Sequence, residues 1–262
     1  MINTDNYNVK RINLQPLNIT ASSSDVIAVI GVKDTDISKV FERFNAYDPL
    51  NQLKLKKSRA NSNTPVIQCI KSETDLFKDY TAYDNFLLTE KKLLHYNKKQ
   101  LAEYCDTLTT TYRCSIDLNE KIGNMTVSER IIVEMFRAFI LDPDMLVLYN
   151  LFSFLDFNNS NILISMINDL KEKNKIILYL TTKWEDAIKI AQRVFVVMDD
   201  NVLGEMSAEE VKRNPQHLVY LLSGRKLIEE QDSYDETADI LSLLNTGAEY
   251  LTSNLKIKDT LE

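Results

Sequence analysis

The stretch from Met125 to Asp156 constrains the fold more than any other part of this 262-residue chain. Thr126 stands three residues before Glu129, the spacing of a reciprocal helix cap in which each side chain serves the other residue's backbone N–H. From there Val127, Ile131, Ile132, Met135, Phe136, Phe139 and Ile140 recur at helical spacing and give a broad apolar face, which Asp142 and Pro143 bring to an end. Met145 to Tyr149 follows as an unbroken apolar run, without the polar alternation of a strand wetted on one face. It predicts a strand buried on both faces of a parallel sheet. An α/β protein with helices on both sides of that sheet is the architecture that supplies such a site. The carboxyl end of a strand of this kind is where α/β proteins present their binding groups, and here it carries Tyr149 and Asn150.

Other segments repeat the pattern. Asp25 to Gly31 reads as a buried strand entering a turn, followed by a helix containing Val40, Phe41 and Phe44. A phosphate-binding loop, G-x-x-x-x-G-K-[ST], works because glycines let backbone N–H groups approach the phosphates while the Lys supplies a cation. In this register only Gly31 and Ser38 agree; Asp36 stands at the second glycine position and Ile37 at the Lys position, with Asp34 in the loop just before them. An Asp facing a phosphate at about 4 Å costs about 4 kcal/mol at an effective dielectric of about 20, so the loop is expected to repel nucleotide. Lys33 and Lys39 flank the turn but lie out of register.

The landmarks occur in a set order, and in that order they resemble the ATP-binding cassette (ABC) ATPases, best the sugar-importer branch. Met125, Thr126, Val127, Ser128, Glu129, Val133, Glu134 and Met135 echo the signature helix; Met145 to Tyr149 the Walker B strand; Ser153, Leu155 and Asp156 the D-loop. Val66 to Glu73, then Leu76, Phe77, Thr81 and Asn85, resemble the strand and Q-loop, with Ser72 in place of Gln. Ile176 to Thr182, then Glu185, Asp186 and Ala187, resemble the last core strand and switch loop, with Thr182 in place of His. Phe195 to Met198 and Gly204 resemble the final strand and turn. The resemblance spans roughly residues 12–222 and implies a P-loop NTPase-like ABC fold, with a mixed, mostly parallel sheet and a helical insert at about 78–135. It also implies what is missing. Tyr149 stands at the magnesium-organising Asp and Asn150 at the catalytic Glu, so no catalytic residue, metal ligand or cofactor is expected, with ATP and magnesium as the alternative.

Composition narrows the partners. With 31 basic and 38 acidic residues the chain carries a net charge of −7, which argues against a nucleic-acid footprint, and Lys54, Lys56, Lys57 and Arg59 read as a solvated hairpin tip. Cys69, Cys105 and Cys114 are too few and too irregular for zinc or a disulfide framework, and His95 and His217 lack ligand spacing. An apolar run long enough to span a bilayer is absent and the amino end lacks a signal-peptide core, so a soluble cytoplasmic protein is expected.

After residue 224 the pattern changes. Residues 225–239 form an acidic linker, and Ile240, Leu243, Leu244, Gly247, Tyr250 and Leu251 then mark a helix, in a segment 240–262 that resembles the entry helix of a GAF sensory domain. A helix docked on its own core is the alternative. Two function classes are compatible with these features. One is a non-catalytic cassette that binds a protein partner or homodimerises and reports to attached signalling domains. The other is a degenerate nucleotide-binding subunit of a sugar-type importer, paired with an active ATPase and gripping a membrane subunit through the Q-loop and helical insert. The carboxylate of Glu129 at the signature position favours the first. Tyr149, Leu151, Phe152 and Phe154 are expected to fill part of the former nucleotide cleft.

Overall fold

The computed structural model describes residues 11–14, 17–46, 48, 65–88 and 98–223. The chain divides into two units, Met1–Leu227 and Ile228–Glu262, and the described residues all lie in the first. The linker at 225–239, the helix at 240–262, Lys54 to Arg59 and His95 lie outside the described residues.

The described chain has eight strands and eight α-helices. A hairpin, β1 (Arg11–Leu14) and β2 (Ile19–Ser22), precedes a six-stranded sheet built from β3 (Val26–Gly31), β4 (Ile67–Ile70), β5 (Met145–Tyr149), β6 (Ile176–Thr181), β7 (Arg193–Met198) and β8 (Asn201–Ser207). Its order is β4-β5-β6-β3-β7-β8, parallel except for the antiparallel β7–β8 pair. The mixed, mostly parallel sheet that the family resemblance implies is therefore present, and every residue of β3 and β6 is buried, as their apolar runs predict.

The helices are α1 (Asp34–Asn45), α2 (Ala82–Leu88), α3 (Lys98–Thr111), α4 (Val127–Leu141), α5 (Phe157–Glu172), α6 (Trp184–Ala187), α7 (Ala208–Arg213) and α8 (Pro215–Leu222). Alternate strand residues divide between them. Ile27, Val29, Val147 and Leu178 pack with Ile37, Val40, Phe41 and Phe44 of α1, while Leu146, Leu148, Ile177 and Tyr179 pack with α4 and α5. Helix α4 is buried almost all round, with Ile131, Ile132, Val133, Met135 and Phe136 fully inaccessible. It ends as the sequence predicts: Asp142 takes the left-handed conformation (φ 50°) and pairs with Lys175 at 2.7 Å.

Among the described residues of the insert, Tyr112 ties α3 to the core, and the loop before α2 is tied to the segment before α4. Tyr112, just past α3, donates its hydroxyl to Asp169 of α5 at 2.6 Å and lays its ring near Phe136 and Phe139. The loop 77–81 is pinned by hydrogen bonds. Ile122 and Gly123 donate backbone N–H groups to the carbonyls of Tyr80 and Lys78 at 3.0 and 2.8 Å, and the buried Asn85 amide bonds Phe77 and Thr81.

Candidate functional site

At the amino end of α1 the chain has folded the phosphate-loop segment onto itself. Gly31 ends β3 so close to the next turn that a Cβ there would meet the Lys33 carbonyl oxygen at 2.6 Å and Ile37 Cγ2 at 2.8 Å. Only glycine fits. Ile37, at the Lys position, is fully buried in the core beneath the loop. Asp36 departs from expectation: it does not face outward toward a phosphate. Its side chain is 2% exposed and turns inward, where Oδ2 accepts the Lys33 N–H at 2.9 Å and Oδ1 accepts the Asp199 N–H at 3.0 Å. An acid three residues into a helix is the second half of a capping box, so the loop carries a resident anion of its own. Ser38 is likewise turned to the backbone, donating to the Thr35 carbonyl at 3.1 Å.

Asp34 remains exposed, and what meets it is Tyr149. That residue leaves the end of β5, sets its ring 5.1 Å from Phe41 of α1 and donates its hydroxyl to Asp34 at 3.1 Å. Burial first, then the Asp34 charge, pushes the phenol up to about 12, so it stays a donor at neutral pH. Asn150 follows in the left-handed conformation (φ 50°), and its amide oxygen accepts from Ser153 Oγ and Thr181 Oγ1, each at 3.3 Å. Thr181 is thus the residue of β6 that reaches Asn150, while Thr182 and Ser72 lie partly buried just past the ends of β6 and β4.

The aromatic replacements divide differently from expectation. Leu151 and Phe152 are buried, but on the α4–α5 side of the sheet, with Phe152 edge-on to Tyr179 at 5.5 Å. Phe154 is 45% exposed and fills nothing. Of the four, Tyr149 alone reaches the phosphate-loop helix. The β5 strand points alternate side chains to opposite faces, and the turn after Asn150 carries the rest away.

At the start of α4 the expected cap is present. Thr126 Oγ1 accepts the Glu129 N–H at 3.2 Å, while Glu129 Oε2 accepts the Thr126 N–H at 2.8 Å and its hydroxyl at 2.9 Å. Val127 packs partly buried on the core, and Ser128 joins this helix to the next. Its hydroxyl donates to Asp156 at 2.8 Å and accepts from Asn159 Nδ2 at 2.9 Å. The Asn159 backbone N–H, above all, and the Ser128 hydroxyl hold the Asp156 carboxyl below the usual range. Among the described residues no three His, Cys, Asp or Glu side chains form a metal-binding group, and no helix is long and apolar enough to cross a membrane.

No model of a known protein family matches the chain. Solved structures do. A nucleotide-free ATP-binding cassette from an ABC transporter superposes with a TM-score of 0.58 at 17% identity, covering 80% of this chain and 92% of that one. A dimeric, post-hydrolysis cassette bound to ADP and Pi gives 0.54 at 12%, covering 76% and 96%. This chain is an ATP-binding-cassette domain by fold. Among curated proteins the cassette is 26% identical over 227 residues to a Pseudomonas syringae pv. tomato protein named for import of ribose, galactose and methyl galactoside, covering 82% of the cassette chain and 43% of the relative. A ribose import ATP-binding protein of Lactococcus lactis is 23% identical over 225 residues, covering 82% and 45%. The chain spans less than half the length of these curated relatives.

The structure puts Gly31 at the end of β3, Tyr149 at the end of β5, Asn150 in the turn that follows and Thr126 to Glu129 at the start of α4. Sequence reasoning missed the partners these residues meet. Asp199 lies in the β7–β8 turn, 163 residues from Asp36 in sequence, and no local pattern announces it. Asn159, three residues after Asp156, is the exception: that spacing is itself an N-cap signal.

Proposed function

We propose that the cassette is a non-hydrolysing member of an import-type ABC assembly, holding a membrane subunit and pairing structurally with a hydrolysing cassette. The observation that carries this is Asp36. Its carboxylate takes up the Lys33 N–H that an open phosphate loop offers to a nucleotide, while Ile37 supplies no cation. Tyr149 and Asn150 offer no carboxylate to magnesium. The residues present do not fit Mg·ATP. The signature end is occupied as well, since Glu129 is already the anion at the amino end of α4. The cassette therefore lends a partner no phosphate contacts.

Support for the importer reading comes from the relatives' names and from the surface. Phe77, Tyr80 and Leu88 are 58%, 50% and 53% exposed, and the first two form an edge-on ring pair at 6.1 Å. Exposed aromatics on a loop pinned by Asn85, Ile122 and Gly123 form a pre-organised docking surface. It lies where the family resemblance places the grip on the membrane subunit. The signalling reading rests on residues 240–262, outside the described residues, and on Glu129, whose carboxylate is taken up by the α4 cap and suits a structural partner equally well. A photo-crosslinking residue at position 80 tests the proposal in native cells. It should trap a sugar-importer membrane subunit, and Phe77→Ser should abolish the adduct. A probe that traps no membrane protein, or an adduct indifferent to Phe77→Ser, would overturn the proposal.

A further inference from the structure

The docking loop carries charge as well as rings. Between residues 71 and 84 the carboxylates of Glu73, Asp75, Asp79 and Asp84 stand against Lys71 and Lys78. The segment bonded to it, through the Ile122 N–H to the Tyr80 carbonyl and the Tyr83 N–H to the Leu118 carbonyl, adds Asp117 and Glu120 against Lys121. Three of these acids serve local hydrogen bonds: Asp84 accepts from the Thr81 hydroxyl at 2.8 Å, Asp117 from the Asn119 N–H at 2.9 Å and Glu120 from the Asn124 amide at 2.6 Å. Glu73, Asp75 and Asp79 are exposed and enter no ion pair among the described residues. Asp79 lies in the chain between Phe77 and Tyr80, whose rings pair edge-on at 6.1 Å.

An apolar anchor ringed by excess acid selects its occupant. Anionic lipid headgroups and nucleic acid are repelled by it. A second copy of the chain is disfavoured too, since a two-fold contact sets the same carboxylates against each other. A segment with an apolar side chain for the ring pair and cations beside it is complementary in both respects.

We propose that the loop recognises a short, basic, amphipathic segment of a partner protein: an aliphatic or aromatic side chain seats on Phe77 and Tyr80, and flanking Lys or Arg side chains meet Glu73, Asp75 and Asp79. This partner chemistry rests on the docking reading of Phe77 and Tyr80. The two parts act on different steps. Rim charges steer the encounter and set its salt dependence, whereas the rings at the centre set how long the partner stays.

A displayed library of random peptides of about 16 residues, selected on the immobilised full chain and counter-selected on Phe77→Ser, tests the assignment. Sequences that need Phe77 should carry a net charge of about +2 or more around a large apolar residue. For a synthesised example, the double variant Asp75→Asn, Asp79→Asn should slow association about fivefold at about 50 mM salt and less than about twofold at about 500 mM, with dissociation nearly unchanged; Phe77→Ser should speed dissociation about tenfold or more. All three positions are exposed, so the variants keep the fold. Neutral or acidic selected sequences, or association indifferent to the double variant, would overturn the basic-partner assignment and leave the docking reading standing. A library that yields no sequence needing Phe77 would overturn both. The full chain should also neither sediment with vesicles containing about a quarter anionic lipid nor self-associate through Phe77. Either behaviour, if removed by Phe77→Ser, would overturn the assignment in favour of a membrane or a second copy.

Discussion

Phe152→Ala is the most informative structural perturbation, because this ring stands in the turn just after Asn150 yet packs as core. It is 6% exposed, lies edge-on to Tyr179 at 5.5 Å and carries Lys189 Nζ 4.9 Å above its face. Its backbone N–H also donates to the Tyr179 hydroxyl at 3.4 Å, a bond that the substitution leaves in place. Losing a buried Phe costs about 3 to 5 kcal/mol, and an aromatic pair adds about 0.5 to 1.5. Lys189 keeps its ion pair with Asp186 at 2.6 Å, so its share is small. The net expectation is about 4 kcal/mol. Urea unfolding with a slope of about 3 kcal/mol per molar would then shift its midpoint down by more than about 1 M. Phe154→Ala, two residues on and 45% exposed, should stay within about 0.5 kcal/mol. A loss under about 1 kcal/mol for Phe152→Ala, or equal losses for the two variants, would refute the assignment of Phe152 to the core and Phe154 to the surface.

Asp36→Ala should cost about 2 to 4 kcal/mol in the same assay, because it leaves the Lys33 and Asp199 N–H groups without their charged acceptor; Asp34→Ala, exposed and bonded only through Tyr149 in the described structure, should cost under about 1. Stability should also depend on pH through Glu134. Its folded carboxyl titrates near 7, above the ordinary 4.5, so the folded state holds a proton that the unfolded state has released. Wild type should therefore lose stability, relative to Glu134→Gln, as pH rises between those values, by up to about 3 kcal/mol, and level off above. Parallel pH profiles for the two proteins would contradict this. Tyr112→Phe, which removes the hydroxyl bonded to Asp169 and keeps the ring, should lose about 1 to 3 kcal/mol and raise exchange across α3.

The sheet was legible in the sequence because β3, β5 and β6 are apolar on both faces, and few other structures accept such runs. The α4 cap and its Asp142 stop were legible for the same local reason. The site was half legible. Asp36, Ile37, Tyr149 and Asn150 could be read as departures from the family's motifs, but the direction in which Asp36 points could not. Its two acceptor bonds depend on the Asp199 N–H, which only the tertiary fold brings to α1. The same holds for Thr181 at Asn150 and for the Glu134–Arg137 pair, whose spacing reads as an ordinary helical ion pair until its burial is known. The aromatic residues after β5 were expected to act together, and the turn at Asn150 separates them.

Calorimetric titration of the full chain with Mg·ATP tests the closed cleft most directly. With the Lys33 N–H held by Asp36, Ile37 in the core and Tyr149 bonded to Asp34, no heat of binding should appear at up to about millimolar nucleotide. Micromolar binding that is lost on changing Lys33 or Lys39 to Ala would mean that the loop opens and holds phosphate in another register, and the closed, non-hydrolysing cassette would be contradicted.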